Sequence, residues 1–379
     1  MLTQTSRGTE MGRLLRRFWQ PVARSHTVAK MAAKPIRIMG EDLTLYRGES
    51  GRAFLVGGRC AHRLTVLHTS WVEHDEMRCI YHGWKYDGTG QCVERPAEKD
   101  AGPPPVKIVG YPVDEYCGLV FAYLGEGPAP EFDLPRKEAF ERPGTIALPR
   151  EEIWPCNWLQ QVENSLDALH VSFVHRAGVS GAFGQAVTAR IPKLEYFETE
   201  AGIRQIATRG ANNVRVSDWT FPNNNHIFHP TFENDDAWMD VGIWVVPVDE
   251  ERSARFNVYA RPSVSPEQDR KFRDYFQTHA QSYSSADLHD QLFDRHKYPD
   301  DRFMQLTSAQ DYVAQVGQDT IADRANEYLG QSDAGIVLLR KILWRELDLL
   351  RAGKPTKRWR KLDHPAELPK QAGAATVDA

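Results

Sequence analysis

The sequence predicts an α+β protein: an N-terminal all-β part, then a larger part built of helices and an antiparallel sheet. Three observations carry that prediction. Short β-branched and aromatic runs broken by Gly and Pro fill residues 35–124. Apolar residues at helical spacing return beyond residue 150, and alternating runs occupy residues 187–262 between the helical stretches. At 379 residues, with 41% hydrophobic and 26% charged residues, the chain is long enough for two complete cores.

Taken in order, Met11, Leu14, Leu15 and Phe18 predict a short amphipathic helix at the start. That segment lacks the continuous apolar core of a secretion signal, and no run of about eighteen apolar residues exists to span a bilayer. A cytoplasmic location is the expectation. Residues 43–46, 53–56 and 119–123 read as strands, with turns at Gly57-Gly58 and at Asp87-Gly88-Thr89-Gly90. The Pro- and Gly-rich residues 125–144 read as a linker. Residues 157–175 read as helix, and residues 203–208, 214–219 and 241–246 as strands. Helix returns at 262–277 and 301–351, where Ile336, Leu339, Ile342, Leu343, Leu347 and Leu350 form one stripe behind an N-cap at Ser332 or Asp333. From residue 353 periodicity stops, which predicts a loosely ordered or partner-wrapping extension. The expected division is 1–145, 146–352 and 353–379.

A net charge of −4 gives no basic footprint for nucleic acid. Two of the five cysteines fall in the motif described next. Cys92, Cys117 and Cys156 are expected to be reduced, since an odd number without an export signal argues against disulfides.

Cys60-Ala-His62 is followed, after sixteen residues, by Cys79-Ile-Tyr-His82. Each loop offers one thiolate and one imidazole. A Rieske 2Fe–2S centre needs that set, two sulfurs on one iron and two nitrogens on the other. A structural zinc site would accept the same four residues, although zinc fingers pair Cys with Cys and His with His along the chain. Colour separates the two, because zinc proteins are colourless.

Farther on, Asp167-x2-His170-x4-His175 offers two imidazoles and a carboxylate, the donor set of non-haem Fe(II) oxygenases with open positions for dioxygen and substrate. At about 100° per residue, Asp167 and His170 share a helix face, but His170 and His175 lie about 140° apart. A regular helix cannot aim both at one ion, so an irregular turn is expected near residues 171–174. Alone, each of these residues reads as helix surface or core histidine. His226 and His229 lack a carboxylate at useful spacing and read as pocket or structural residues, and His68 and His74 as surface.

These motifs resemble the Rieske non-haem iron aromatic ring-hydroxylating oxygenases, large subunit, of the phthalate-dioxygenase-like subgroup. The resemblance runs through GTEMGRLLRRFWQPVA, RCAHRLT, RCIYHGWKYDGTGQC, D-x2-H-x4-H, IADRANEYLG and SDAGIVLLR in one order. It implies an all-β Rieske domain followed by a helix-grip-like catalytic domain. It also implies a cluster on Cys60, His62, Cys79 and His82, and iron on His170, His175 and a late carboxylate. Asp311 is the best match for that carboxylate, with Asp319 and Asp323 as weaker substitutes. Asp167 becomes a catalytic bridge between His170 and His82 of a neighbouring copy in a homotrimer or stacked trimers. One departure is Leu64-Thr65, where many members place Gly.

The same resemblance implies reaction with O2, hydroxylating or O-demethylating a small aromatic substrate, carboxylated in this subgroup's usual manner. No G-x-G-x-x-G motif is present, so electrons from NAD(P)H must arrive through a separate flavin- and ferredoxin-type reductase. Arg204, Arg209 or Arg215 would suit a carboxylate. Phe173, Val174, Val179, Phe183, Phe221, Ile227, Phe228 and Trp238 would suit a ring, or simply a core. The competing class is a Rieske electron carrier without oxygenase chemistry, which has no use for His170, His175 and a remote aspartate.

Overall fold

The computed structural model describes residues 1–101, 105–132, 134–175, 190–210, 213–230, 238–276 and 303–357. The candidate pocket residues Val179 and Phe183, and residues 358–379 of the C-terminal extension, lie outside the described residues. The chain divides into two compact units, the first built of residues 3–133 with 246–250, the second of nearly all the rest.

The first unit opens with helix α1 (Glu10–Leu15), capped by the Thr9 side chain and burying Met11, Leu14 and Leu15. Phe18 falls just beyond its end. Strands β1 (Trp19–Arg24), β2 (Ala32–Ile38), β3 (Glu41–Arg47), β4 (Ala53–Gly57), β5 (Trp71–Glu73), β6 (Glu76–Arg78), β7 (Lys85–Tyr86), β8 (Cys92–Glu94), β9 (Gly110–Tyr111), β10 (Val113–Tyr116) and β11 (Leu119–Tyr123) follow. They form three small sheets, ordered β2-β3-β4-β9, β5-β6-β7-β8 and β1-β11-β10. Asp87 closes the predicted β7–β8 hairpin, its Oδ1 accepting from the Thr89 and Gln91 backbone N–H groups. One core joins Tyr46, Val56, Cys60, Leu67, Met77, Cys79, Tyr86 and Cys92. Both motif cysteines are therefore part of the packing.

The second unit begins with helix α2 (Glu138–Glu141), so the expected linker carries a turn of helix. Strands β12 (Thr145–Trp154), β13 (Lys193–Glu198), β14 (Gly202–Thr208), β15 (Val214–Thr220), β16 (Asn224–Pro230), β17 (Trp238–Pro247) and β18 (Ser253–Pro262) form a seven-stranded sheet ordered β12-β18-β17-β16-β15-β14-β13. The described residues also include helices α3 (Trp158–Asn164), α4 (Pro266–Asp274), α5 (Phe303–Val316) and α6 (Ala334–Arg351).

Two helical expectations need correction. Residues 157–175 are not one helix. Asn157 caps α3 by accepting the Leu159 N–H, but α3 stops at Asn164, where Ser165 Oγ turns back to the Gln161 carbonyl. Residues 301–351 are likewise two helices, separated at Gly317 by turns in which Asp319 adopts φ +78°. Leu339, Ile342, Leu343 and Leu347 of the predicted stripe are buried, while Ile336 and Leu350 are half-buried. Asp333 precedes α6, but its carboxylate accepts the Gly330 N–H and so serves the preceding turn.

Cys92 and Cys156 are buried free thiols and Cys117 a half-buried one. Among the described residues no helix is long and apolar enough to cross a membrane.

The departure at Leu64 has a backbone consequence. Leu64 sits at φ +60°, its N–H bonded to the Cys60 carbonyl at 2.9 Å, and its side chain is 63% exposed. Left-handed backbone costs an L-residue roughly 1–2 kcal/mol, and the extra freedom of unfolded glycine returns about 0.4–1 kcal/mol of that. Leu64→Gly is therefore expected to be neutral to slightly stabilising, and the β-branched Leu64→Val destabilising by about 1 kcal/mol. Urea midpoints followed by circular dichroism check the pair; a Val variant as stable as wild type would mean that the turn is unstrained.

Candidate functional site

In the first unit the two motif loops divide their side chains by depth. Cys60 and Cys79 are buried, whereas His62 and His82 are exposed with ring centroids 4.5 Å apart. Trp84 stacks on His62 at 4.7 Å and 5° between planes, and Tyr81 leans on His82 at 3.8 Å. Tyr86 Oη lies 3.2 Å from Cys60 Sγ and accepts the Ala61 N–H at 3.0 Å, so its own proton is available to the sulfur. Burial pushes the Cys79 thiol above its ordinary value, while the Tyr81 and His82 backbone N–H groups favour its thiolate. Polar donors directed at otherwise buried sulfurs suit a 2Fe–2S cluster, whose sulfurs take such bonds. Gly83 adopts φ +72° directly after the second imidazole, a conformation that favours glycine.

In the second unit the early end of α3 creates the geometry that a continuous helix would forbid. Asp167 caps the turn after it, Oδ1 accepting the Leu169 and His170 N–H groups at 3.0 and 3.2 Å. A single 3₁₀ turn, His170–Ser172, then carries the chain to His175. The irregularity thus begins at Ser165, upstream of the expected 171–174. The two imidazoles face each other with centroids 5.4 Å apart.

Asp311, within α5, lies between them. Its Oδ1 is 3.5 Å from His170 Nε2 and 3.5 Å from His175 Nε2. One donor atom from each of the three residues lies within 4.8 Å of the others. That carboxylate oxygen is buried with no hydrogen-bond partner. Two imidazole nitrogens and an orphaned anionic oxygen converging in a buried site fit a divalent metal. Burial works to raise the Asp311 carboxyl, but its interactions with His175 and then His170 outweigh it and hold it far below the usual carboxylate range.

The outer nitrogens of both rings are engaged. His170 Nδ1 donates to the Asp167 backbone carbonyl. The Asp167 carboxylate, by contrast, stands 4.0 Å from that nitrogen. His175 Nδ1 donates to Gln310 Oε1 at 2.9 Å. Both bonds leave Nε2 as the free lone pair, aimed at Asp311. Gln310 was not legible as a site residue in the sequence; its one signal is adjacency to Asp311.

Helix α5 is tied to α3 through Gln160, whose Nε2 donates to the Gln315 and Asp319 carbonyls at 2.9 Å each. Asp319 and Asp323 serve local turns, accepting the Thr320 N–H and the Ala325 N–H respectively. The structure places neither beside the imidazoles.

One face of the large sheet floors a cavity of about 170 Å³ that also reaches His170, His175 and Asp311. Strand register decides which residues line it. Ala207 lies across from Arg215, and Gln205 from Ser217, so these share a face, and all four line the cavity. Ile227, Val241 and Ile243 add apolar wall. Arg204 lies across from Asp218 on the other face and pairs with it at 2.8 Å, which takes it out of the cavity. His226 also belongs to that other face, bonded to Asp240 at 2.8 Å, a structural role. Phe221 is fully buried, and Phe173 is exposed. His74 is exposed and paired with Glu49, and His68 half-buried.

Known proteins match both parts of the chain. Residues 18–113 match the Rieske [2Fe-2S] domain family, and residues 154–348 match the vanillate O-demethylase oxygenase C-terminal domain. The chain is 31% identical to the 5,5'-dehydrodivanillate O-demethylase oxygenase subunit of Sphingobium sp. SYK-6, over 94% of this chain and 81% of that one. It is 31% identical to the tert-butanol monooxygenase / tert-amyl alcohol desaturase oxygenase subunit of Aquincola tertiaricarbonis, over 90% and 75%. In fold it is similar to Pseudomonas putida CBB5 NdmA, with a TM-score of 0.68, 18% identity, and 91% and 94% of the two chains covered.

Gln310 is expected to act on the metal site by fixing the His175 ring. Gln310→Leu should weaken ferrous binding about 10–100-fold while leaving the cluster's visible spectrum unchanged, and Gln310→Glu should weaken it less. Anaerobic iron titration checks this; unchanged affinity in the Leu variant would leave Gln310 a packing residue.

Proposed function

The chain belongs to the Rieske non-haem iron oxygenases and is the oxygenase component of a multicomponent system fed by a separate reductase or ferredoxin; from that premise we propose how its residues divide the work. Cys60 and Cys79 hold one iron of the cluster and His62 and His82 the other, with the imidazole end at the surface where electrons enter and leave. His170, His175 and Asp311 hold the mononuclear iron. The observation that carries this reading is the orphaned, buried Asp311 Oδ1 at 3.5 Å from two aligned imidazole nitrogens.

When bound there, ferrous iron supplies the dioxygen activation that no side chain can, with the cluster as its electron store. The protein's own contribution is orientation and exclusion. Asp167 and Gln310 fix both imidazole tautomers, and the carboxylate of Asp311 balances metal charge. The cavity places a substrate beside the triad. An engineered apolar cavity of about 150 Å³ accepts benzene, so about 170 Å³ accommodates a single aromatic ring. We therefore assign the reaction to hydroxylation or O-demethylation of a small aromatic compound.

Electron delivery is proposed to cross between copies in a ring of three. His82 is exposed and the Asp167 side chain is 28% accessible, so both can meet a neighbour. Asp167, with one oxygen held by the turn, keeps the other to accept from His82 of the neighbouring copy.

Two measurements test this reading. Purified chain should carry about three irons, against about two for a mere electron carrier; two irons after anaerobic reconstitution would reject the oxygenase assignment. Asp167→Asn should keep that iron content and the cluster spectrum yet lose nearly all turnover of a methoxylated aromatic with a surrogate reductase. Full coupled activity in this variant would remove the bridge.

A further inference from the structure

We propose that Tyr259 is a specificity-determining residue of the cavity, its hydroxyl proton turned inward to donate to an uncharged oxygen substituent on the substrate ring. This rests on the oxygenase reading only in naming the ligand as substrate. Three observations carry it.

The first is placement. Arg255, Asn257 and Tyr259 occupy alternate positions of β18, so their side chains share one face of the sheet. All three line the cavity that reaches the triad. Asn257 and Tyr259 are 5% and 6% exposed. The Tyr259 ring packs on Phe276 with centroids 4.7 Å apart, and the Arg255 guanidinium sits 5.2 Å above the Trp154 ring. Both ends of the row are therefore held.

The second is a ladder with one possible polarity. Arg255 Nε donates to Asn257 Oδ1 at 3.3 Å, and Asn257 Nδ2 donates to Tyr259 Oη at 3.0 Å. The two ends of an amide are told apart by their partners, and a guanidinium carries donors only, with its charge kept at every working pH. Asn257 must turn its oxygen to Arg255, which leaves its N–H for Tyr259. The tyrosine oxygen then accepts, and its own proton is not spent in the ladder.

The third is what that proton can meet. Among the described residues Tyr259 Oη donates to none. Ile227, Val241 and Ile243, on the two next strands, offer it no acceptor. Asn225 Oδ1, also in the lining, is buried and without a partner, but it stands on β16, two strand spacings or roughly 10 Å away. The wall does not satisfy itself, so a ligand has to. One neutral donor meets the need of an ether or carbonyl oxygen without a counter-charge. A site built this way rejects the analogue lacking that oxygen, because its own buried polar group is then left unpaired.

The test compares ethers with their methylene isosteres on the iron-loaded, full-length protein under anaerobic conditions. The three dimethoxybenzenes are titrated by calorimetry beside the corresponding ethylmethoxybenzenes, in which a methylene replaces one ether oxygen. At least one dimethoxy compound should bind tenfold or more tightly than its isostere, which is about 1.4 kcal/mol. That preference should fall below threefold in Tyr259→Phe, which keeps the ring against Phe276. It should fall equally in Asn257→Asp, which keeps the Tyr259 hydroxyl but gives its proton an acceptor on the strand. Absence of a preference in all three pairs overturns the proposal. A preference that survives in Tyr259→Phe overturns the donor, and one that survives in Asn257→Asp overturns the ladder that aims it. Each of these failures leaves the iron count untouched, so loss of this contact and loss of the oxygenase assignment are told apart.

Discussion

A carboxylate oxygen held between two imidazoles, away from water, cannot persist without a compensating charge. Asp311 Oδ1 is in that position, and much of the second unit is arranged to keep it there. Helix α5 delivers Gln310 and Asp311 as neighbours, one for each nitrogen of His175. Gln160 fastens α5 to α3 through the Gln315 and Asp319 carbonyls. Glu163, near the end of α3, accepts from Arg324 at 2.7 Å and from Arg340 at 2.6 Å, fixing that end to α6. The segment bearing both histidines therefore starts from an anchored point.

The first unit solves the opposite problem. Its thiols are core residues, surrounded by Tyr46, Leu67, Met77 and Tyr86, while its imidazoles stand in solvent. Under the proposed ligation, burial would protect the soft, oxidisable sulfurs and leave the imidazole end as the route for electrons. In a Rieske centre imidazole in place of thiolate raises the potential, and the Tyr86 hydroxyl beside Cys60 Sγ withdraws charge from the sulfur in the same direction. Exposed imidazoles in one unit and a largely buried triad in the other suit the two proposed tasks, passing electrons and binding a metal.

Charge is similarly partitioned across the large sheet. On the face away from the cavity, Arg204 meets Asp218 and His226 meets Asp240. On the cavity face Arg209 and Arg215 stand near one another beside apolar wall. A single-residue change of register would exchange these faces. The sheet thus keeps these ion pairs on one face and the cavity lining on the other.

The ligand types, their order and the strand and helix periods were legible in the chain itself, because they are properties of local spacing. The C-x-H and C-x-x-H loops, the strands at 203–208 and 214–219, and the histidines at 170 and 175 all declare themselves within a few residues. Rotation per residue even showed that a regular helix could not join His170 to His175. Where that helix stops was not legible, since the turn that follows it is held by Asp167 accepting the Leu169 and His170 N–H groups, which no local period announces. Nor could spacing choose among Asp311, Asp319 and Asp323, or among Arg204, Arg209 and Arg215. Those choices belong to tertiary structure: α5 turns one aspartate inward while separate local turns engage the other two, and strand register sends one arginine to the far face. Convergence of distant residues depends on packing between elements, and no local period encodes it.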